Sequence, residues 1–362
     1  MEETKRGAIA LLGATGFTGQ LIAAELAKQS TPFILAGRSA GKLTALQNQL
    51  NAPNLLKTVV ATPDNPASLA ELFKPPTAIV INCVGPFTDL GEPVIKAALE
   101  SGIHYIDITG EQVYIAQMLD RYHAVATEKG CLIIPACGFE YAVGNWAAAH
   151  AVAGLEPLDN INIFLTAQNA STSRGTQLSA LKLLSNAGYG WKNGKRTAHL
   201  TAHKSTVVNF PVPFGKRRTI WIPSGEIVTL PRHVKVQNIN AYMSLGGILP
   251  YVTRLGFFML PLAASALSLL MRDGKKYTPE PHKRKPFDWA IIIEASGSKG
   301  KSTVTLQGQD VYGLTAHITL YAAQQLLAGN YTKPGVLGVA HALAYQPALE
   351  MLQAVGVKVQ KC

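Results

Sequence analysis

The sequence predicts an α/β protein built on a Rossmann-type, doubly wound parallel sheet. Two observations carry that prediction. Residues 8–26 read AIALLGATGFTGQLIAAEL, a short apolar strand running straight into three glycines and then a helical pattern. Beyond them, apolar strands alternate with helical stretches as far as about residue 140, the signature of parallel strands joined by crossover helices.

The bulk composition fits. A chain of 362 residues has room for two domains. With 48% hydrophobic and 15% charged residues, it can bury a large core and is not disordered. The opening MEETKRG has two acids and no apolar run, so no signal peptide is expected. Cys83, Cys131, Cys137 and Cys362 form no C-x-x-C pair. That spacing argues against zinc and against a disulfide scaffold, and cytoplasmic localisation is expected. No metal-ligand spacing is present.

Ala8 to Leu12 reads as a buried strand, and Gly13, Gly16 and Gly19 follow at three-residue spacing. Glycine permits a tight turn and lets the backbone approach a pyrophosphate. The helix that follows offers that anion free N–H groups and a partial positive charge. Gly13, Ala14, Thr15, Gly16, Phe17, Thr18 and Gly19 are therefore the expected pyrophosphate loop. The bland alternative is a βα turn that binds nothing.

Phe33 to Ala36 is the next strand, and it runs into Gly37-Arg38-Ser39. An NAD site usually places an acid here for the ribose 2′-hydroxyl. This chain has no Asp or Glu between Glu25 and Asp64. Arg38 stands there instead, with Ser39 beside it and Lys42 a turn on. A guanidinium can hold a 2′-phosphate bidentately, so the expected cofactor is NADP. Otherwise Arg38 is only a solvated residue after a strand.

Three further strands are expected: Ala78 to Cys83, His104 to Ile108 and Cys131 to Ala136. Helical patterns lie between them at Pro93 to Ser101 and Tyr114 to Lys129. Ligands of such sheets sit at the carboxyl ends of the strands. The loops at Gly13, Arg38, Gly85, Gly110 and Gly138 should line one crevice, with Asn82, Val84, Gly85 and Pro86 at the nicotinamide ribose.

GATGFTG, AGRS, NCVGPF, HYIDITGE and the strand ending in CGFE, in this order and spacing, resemble the saccharopine dehydrogenase-like oxidoreductases. Residues 172–180 (TSRGTQLSA), 312–316 (YGLTA) and 335–337 (GVL) are similar to later family segments. The branch most resembled holds the trans-acting enoyl reductases and the lipid-associated oxidoreductases. The resemblance implies an NADP-binding Rossmann domain over 1–140 and an inserted α+β substrate and dimerisation domain over 141–330. It also implies a C-terminal segment, 331–362, that returns to the first domain. One departure is that members often read G-F-D-S-x-P-S-D where this chain has Gly138-Phe139-Glu140-Tyr141-Ala142-Val143-Gly144-Asn145. That change puts substrate choice in question.

No tyrosine has lysine four residues on, so the short-chain dehydrogenase pair is absent. His150, His199, His203, His233 and His317 are scattered. Hydride transfer asks the protein mainly for positioning. The candidate catalytic residues are Tyr141 and Glu140, with Glu111 in ITGE; a loop-holding carboxylate is the alternative for Glu111. Cys83 and Cys137 read as structural thiols in apolar surroundings.

The formal charge is +11, and Glu226 is the only acid between Asn160 and Arg272. A basic middle attracts phosphorylated cofactors, an acidic carrier protein or anionic lipid. No nucleic-acid motif accompanies it. Within the apolar segment 242–272, Leu255 to Met271 carries no charge. Three readings stay open: a helical pair walling a lipophilic pocket or dimer interface, a peripheral membrane contact, or a span. Apparent strands at Trp289 to Glu294 and Ser302 to Leu306 should pair with Ile161 to Thr166 and Thr206 to Phe210 in one inserted sheet, which disfavours the span. The leading expectation is NADPH-dependent reduction of a lipophilic, free or carrier-bound acyl or enoyl substrate by a homodimer. The alternatives are a saccharopine-type imine reductase or amino-acid dehydrogenase, and a non-catalytic, lipid-associated NADP-binding protein.

Overall fold

A computed structural model describes residues 7–168, 187–244 and 287–362. The chain divides into two compact units. The first holds Met1–Thr109, Tyr114–Ala142 and Tyr312–Ala344; the second holds Gly110–Val113, Val143–Val311 and Tyr345–Cys362.

The first unit contains β1 (Ala8–Leu12), β2 (Phe33–Gly37), β3 (Leu55–Val60), β4 (Thr77–Asn82), β5 (His104–Asp107) and β6 (Leu132–Ile134), with a late strand at Gly335–Val336. Their order is late strand–β6–β5–β4–β1–β2–β3. Every pairing is parallel. β1, β2 and β6 are buried along their whole length, as strands covered on both faces must be. The chain winds outward from β1 through β2 and β3, then resumes on the other side at β4. The order therefore reverses between β1 and β4, which is where such sheets open a crevice.

The helices α1 (Phe17–Ala27), α2 (Ala40–Leu50), α3 (Pro66–Leu72), α4 (Phe87–Glu100) and α5 (Gln112–Glu128) connect these strands. α4 begins six residues before the expected Pro93. Its buried stripe of Phe87, Gly91, Val94, Ile95, Ala98 and Leu99 has helical spacing. Packing of that face outweighs the hydrogen bond Pro93 forfeits. β3 was not expected from the sequence. It is the half-exposed edge strand, and its burial does not alternate cleanly.

One buried acid joins the carboxyl ends of three strands. Asp107, at the end of β5, is fully buried. Its carboxylate accepts from Thr109 N at 3.0 Å and Ala136 N at 2.8 Å. It also accepts from the hydroxyls of Tyr105 at 2.9 Å and Tyr114 at 3.0 Å. Tyr105 Oη in turn accepts from Asn82 Nδ2 at 3.1 Å, which brings in the end of β4. Ala136 holds a left-handed φ of 60°, unusual for a non-glycine residue, and its N–H is one of these donors.

The second unit is a mixed sheet of β7 (Leu158–Ala167), β8 (Ala187–Lys192), β9 (Lys195–Leu200), β10 (Ser205–Phe210), β11 (Gly215–Trp221), β12 (Val236–Ser244), β13 (Trp289–Gly297) and β14 (Gly300–Gly308), closed by a last strand, Lys358–Lys361. The main path runs β10–β11–β12–β7–β13–β14–last strand, and β8 joins β12 to β9. The four strand segments expected to share one sheet do so, within β7, β10, β13 and β14. Phe164, Phe210, Phe214, Ala290 and Ile292 pack together, with Val208 and Tyr242 against them.

Two expected boundaries are corrected. Residues 331–344 return to the first unit, where Gly335–Val336 joins its sheet, but residues 345–362 belong to the second. Lys358–Lys361 pairs antiparallel with β14, whose outer backbone groups would otherwise lack partners. The first unit also resumes at Tyr312, before the expected 331. α6 (Phe139–Val152) runs from one unit into the other. The segment 172–180, and the part of the apolar stretch beyond Ser244, lie outside the described residues. No described helix is long and apolar enough to cross a membrane.

Asp107 sets a stability prediction. Burial raises its carboxyl from 3.8 to about 6, against the lowering effect of its donors. The native state thus holds this proton more tightly than the unfolded chain. That stability is complete below about pH 4 and is lost as pH rises through 6. Denaturant unfolding across pH 4 to 7 should show this decline, and Asp107→Asn should remove it. Asp107→Ala, which orphans several buried donors, should cost about 3 kcal/mol or more.

Candidate functional site

The glycine turn is held from three sides. Gly13 N and Ala14 N donate to Ala36 O at 2.9 and 3.0 Å, pinning the turn to the end of β2. Gly13 has φ +85°, and a Cβ there would lie 2.9 Å from Val84 Cγ2 and 3.1 Å from the Cys83 carbonyl carbon. The turn thus presses against the loop after β4, across the point where the strand order reverses. A Cβ on Gly19 would collide with Gly13 O, so the third glycine lets α1 pack onto the turn. Gln20 Nε2 donates to Thr15 O at 3.0 Å. The Phe17 ring meets Tyr312 edge-on at 4.8 Å and packs within the fold.

α1 follows Gly16 as its N-cap, with no side-chain cap and no acid in its first turn. Its amino end is therefore open to an anion and meets no competing carboxylate. Arg38 follows β2 and is exposed, as is Lys42. Neither forms an ion pair among the described residues. Ser39 N-caps α2, accepting from Lys42 N at 3.5 Å. A Cβ on Gly37 would lie 3.7 Å from Thr15 Oγ1, which places the end of β2 beside the glycine turn.

The β4 loop differs from expectation at one residue. Asn82 is fully buried, and its amide is engaged at both ends, donating to Tyr105 and accepting from Val84 N at 2.9 Å. It shapes the loop and has no side chain to offer a ribose. Val84, Gly85 and Pro86 are more accessible, and Pro86 begins α4. Burial, and secondarily the charge of Asp107, push the thiols of Cys83 and Cys137 far above their ordinary range. They stay protonated, as structural thiols do.

Of the three candidate catalytic residues, Glu140 and Tyr141 open α6, and Glu111 lies in the loop before α5. Tyr141 is buried at 4% exposure. Glu140 is half-buried, and burial raises its carboxyl to about 7. Near neutrality such a group can both give and take a proton. Asp107 was the residue missed. Its only sequence signal was an acid at the end of a short strand that runs into a loop.

Strand order, glycine turn and open helix end together define a dinucleotide-binding domain. Residues 9–134 match the model of the saccharopine dehydrogenase NADP binding domain. Residues 9–134 thus form a domain of the saccharopine dehydrogenase NADP-binding type, and NADP is the cofactor of that domain.

The human saccharopine dehydrogenase-like oxidoreductase is 40% identical over 147 residues, 36% of this chain and 34% of that protein. The rat protein of the same name is 39% identical over 309 residues, 80% of this chain and 64% of its own. A Mycobacterium tuberculosis protein provisionally named a trans-acting enoyl reductase is 31% identical over 186 residues, 49% of this chain and 44% of that one. The chain thus spans about a third of the length of the human relative and under two thirds of the rat one. The solved apo saccharopine dehydrogenase (L-Glu forming) of Saccharomyces cerevisiae shares the fold, with a TM-score of 0.64 at 12% identity, over 98% of this chain and 100% of that one.

The residues fit an NADP cofactor. The turn from Gly13 to Gly19 and the α1 amino end would hold the pyrophosphate, and Arg38, with Lys42, the 2′-phosphate. Gly13→Ala should abolish the rise in thermal midpoint that NADPH gives the wild type. Gly41→Ala, where a Cβ meets nothing within 4 Å, should keep it.

Proposed function

We propose that the chain is an NADPH-dependent oxidoreductase acting on a lipophilic acyl or enoyl-type substrate. One observation carries the cofactor choice. An exposed, unpaired arginine follows β2 where an NAD site would place an acid, and the end of that strand lies beside the glycine turn. The names of the relatives support oxidoreductase activity, and that of the mycobacterial relative supports an enoyl substrate. The uncharged run Leu255 to Met271 supports a greasy one.

When bound, NADPH supplies a hydride. Reduction of an enoyl double bond also needs a proton. Glu140, held near pH 7, can deliver one and recover it from water. Tyr141, next along α6, stands as the second candidate donor. Glu111, in the loop before α5, is the third candidate, with a loop-holding carboxylate as its alternative role. The proposal includes a homodimer, a cytoplasmic setting with peripheral membrane contact, and an acidic carrier or anionic surface met by the basic middle.

Nucleotide titrations test the reading. NADPH should bind more tightly than NADH, and Arg38→Ala should weaken NADPH about ten- to hundredfold while sparing NADH. With NADPH and an enoyl thioester, Glu140→Gln should lower turnover about a hundredfold. As a general acid, Glu140 predicts wild-type turnover falling as pH rises through about 7, a step the variant lacks. Equal binding of the two nucleotides by the wild type would sink the proposal.

A further inference from the structure

The second unit carries a cationic cavity that the oxidoreductase reading does not use. It encloses about 220 Å³ on the mixed sheet, lined by residues of β7, β8, β9, β11 and β12 together with His203 and Lys204. His199 and His203, scattered in the sequence, stack here with centroids 4.5 Å apart and planes 9° apart. Trp221 meets both rings edge-on, at 5.7 and 4.6 Å. Lys192 and Lys204 stand at the cavity, and its lining contains no acid.

Several features mark this as a binding surface for negative charge. The Asn160 amide makes no hydrogen bond to the described residues and lines the same space. A second cavity, sharing Trp191, is lined by Arg196 and Arg232 and again by no acid. Glu226, the sole acid from Asn160 to Arg272, is buried and hydrogen-bonded by Ser224. No acid lines either cavity, which favours an anion there. Two lysines, two imidazoles and a free amide supply charge-assisted and neutral donors in one small space.

We propose that this cavity binds an oxyanion of the phosphate-ester class, borne either by a soluble metabolite or by a lipid headgroup. The site is formed by residues of the second unit and does not rest on the proposed activity. The hydrogen bonds of the histidines add a proton-linked feature. His203 Nδ1 lies 2.9 Å from Leu200 O, and a carbonyl can only accept, so Nδ1 carries the proton in the neutral ring. Nε2 then becomes a donor only when the ring takes up a second proton. His199 Nε2 pairs with Thr197 Oγ1 at 2.9 Å. Burial lowers both imidazoles first; Lys204 and then Lys192 lower His199 further, and His199 and then Lys204 lower His203 against the raising effect of its Leu200 hydrogen bond. An anion against the rings would favour their protonated forms.

Inorganic phosphate, titrated into the full-length protein and read by tryptophan fluorescence, tests the site. Saturable binding is expected, weakened at least tenfold in Lys192→Gln/Lys204→Gln. Both lysines are exposed, so the double variant should fold, and its thermal unfolding checks this. Sulfate, whose charge is constant between pH 6 and 8, should bind several-fold more tightly at pH 6, and His203→Gln should flatten that dependence. Phosphatidate vesicles that retain the wild type but not the double variant would identify a lipid source. A soluble phosphate ester competing with inorganic phosphate, without vesicle retention, would identify a metabolite. Absence of saturation, or equal affinity in wild type and double variant, would overturn the proposal.

Discussion

The nucleotide-binding end of the first sheet depends on one buried carboxylate. A charge removed from water is costly unless hydrogen bonds replace its solvation. Asp107 has four donors, drawn from the end of β5, the loop after it, the loop after β6 and the start of α5. Through Tyr105 and Asn82 the same network reaches the loop after β4. Three strand ends are thereby fixed relative to one another. Loops that hold a ligand need such anchoring, because strand packing alone leaves the segments beyond the strands free to move.

On the other side of the crevice the constraint is steric. Gly13 is pressed against Cys83 and Val84, and Gly19 against Gly13 itself. No side chain fits at either position, so the backbone closes the turn and the helix end stays open to an anion. The two devices meet at the β4 loop. Asn82 holds Val84 from within the network, and Val84 is the residue against which Gly13 packs. A polar network and a glycine contact thus set the width of one opening.

Much of this was legible because it is local. The strand β1, its glycines and the arginine after β2 are contiguous in sequence, and their chemistry follows from order and spacing. What could not be read depends on distant partners. Asp107 looks like an ordinary strand-end acid until Tyr114 and Ala136 fold against it. Asn82 looks like a ligand-facing amide until its partners are seen. β3 has no strong periodicity because it is an edge, and α4 extends past Pro93 because its buried face demands it. The last strand, Lys358–Lys361, has a polar pattern that suits the free side of β14 and carries no sign of which sheet it joins. His199 and His203 meet only because the segment after β9 turns back toward β11.

The most direct measurement is amide hydrogen exchange of the full-length protein with and without NADPH. Slowed exchange should concentrate in residues 13–20, 37–42 and 83–87, which lie at the carboxyl ends of β1, β2 and β4. Protection confined to the second unit, or no change in these three segments at saturating NADPH, would contradict the placement of the nucleotide at the reversal of strand order.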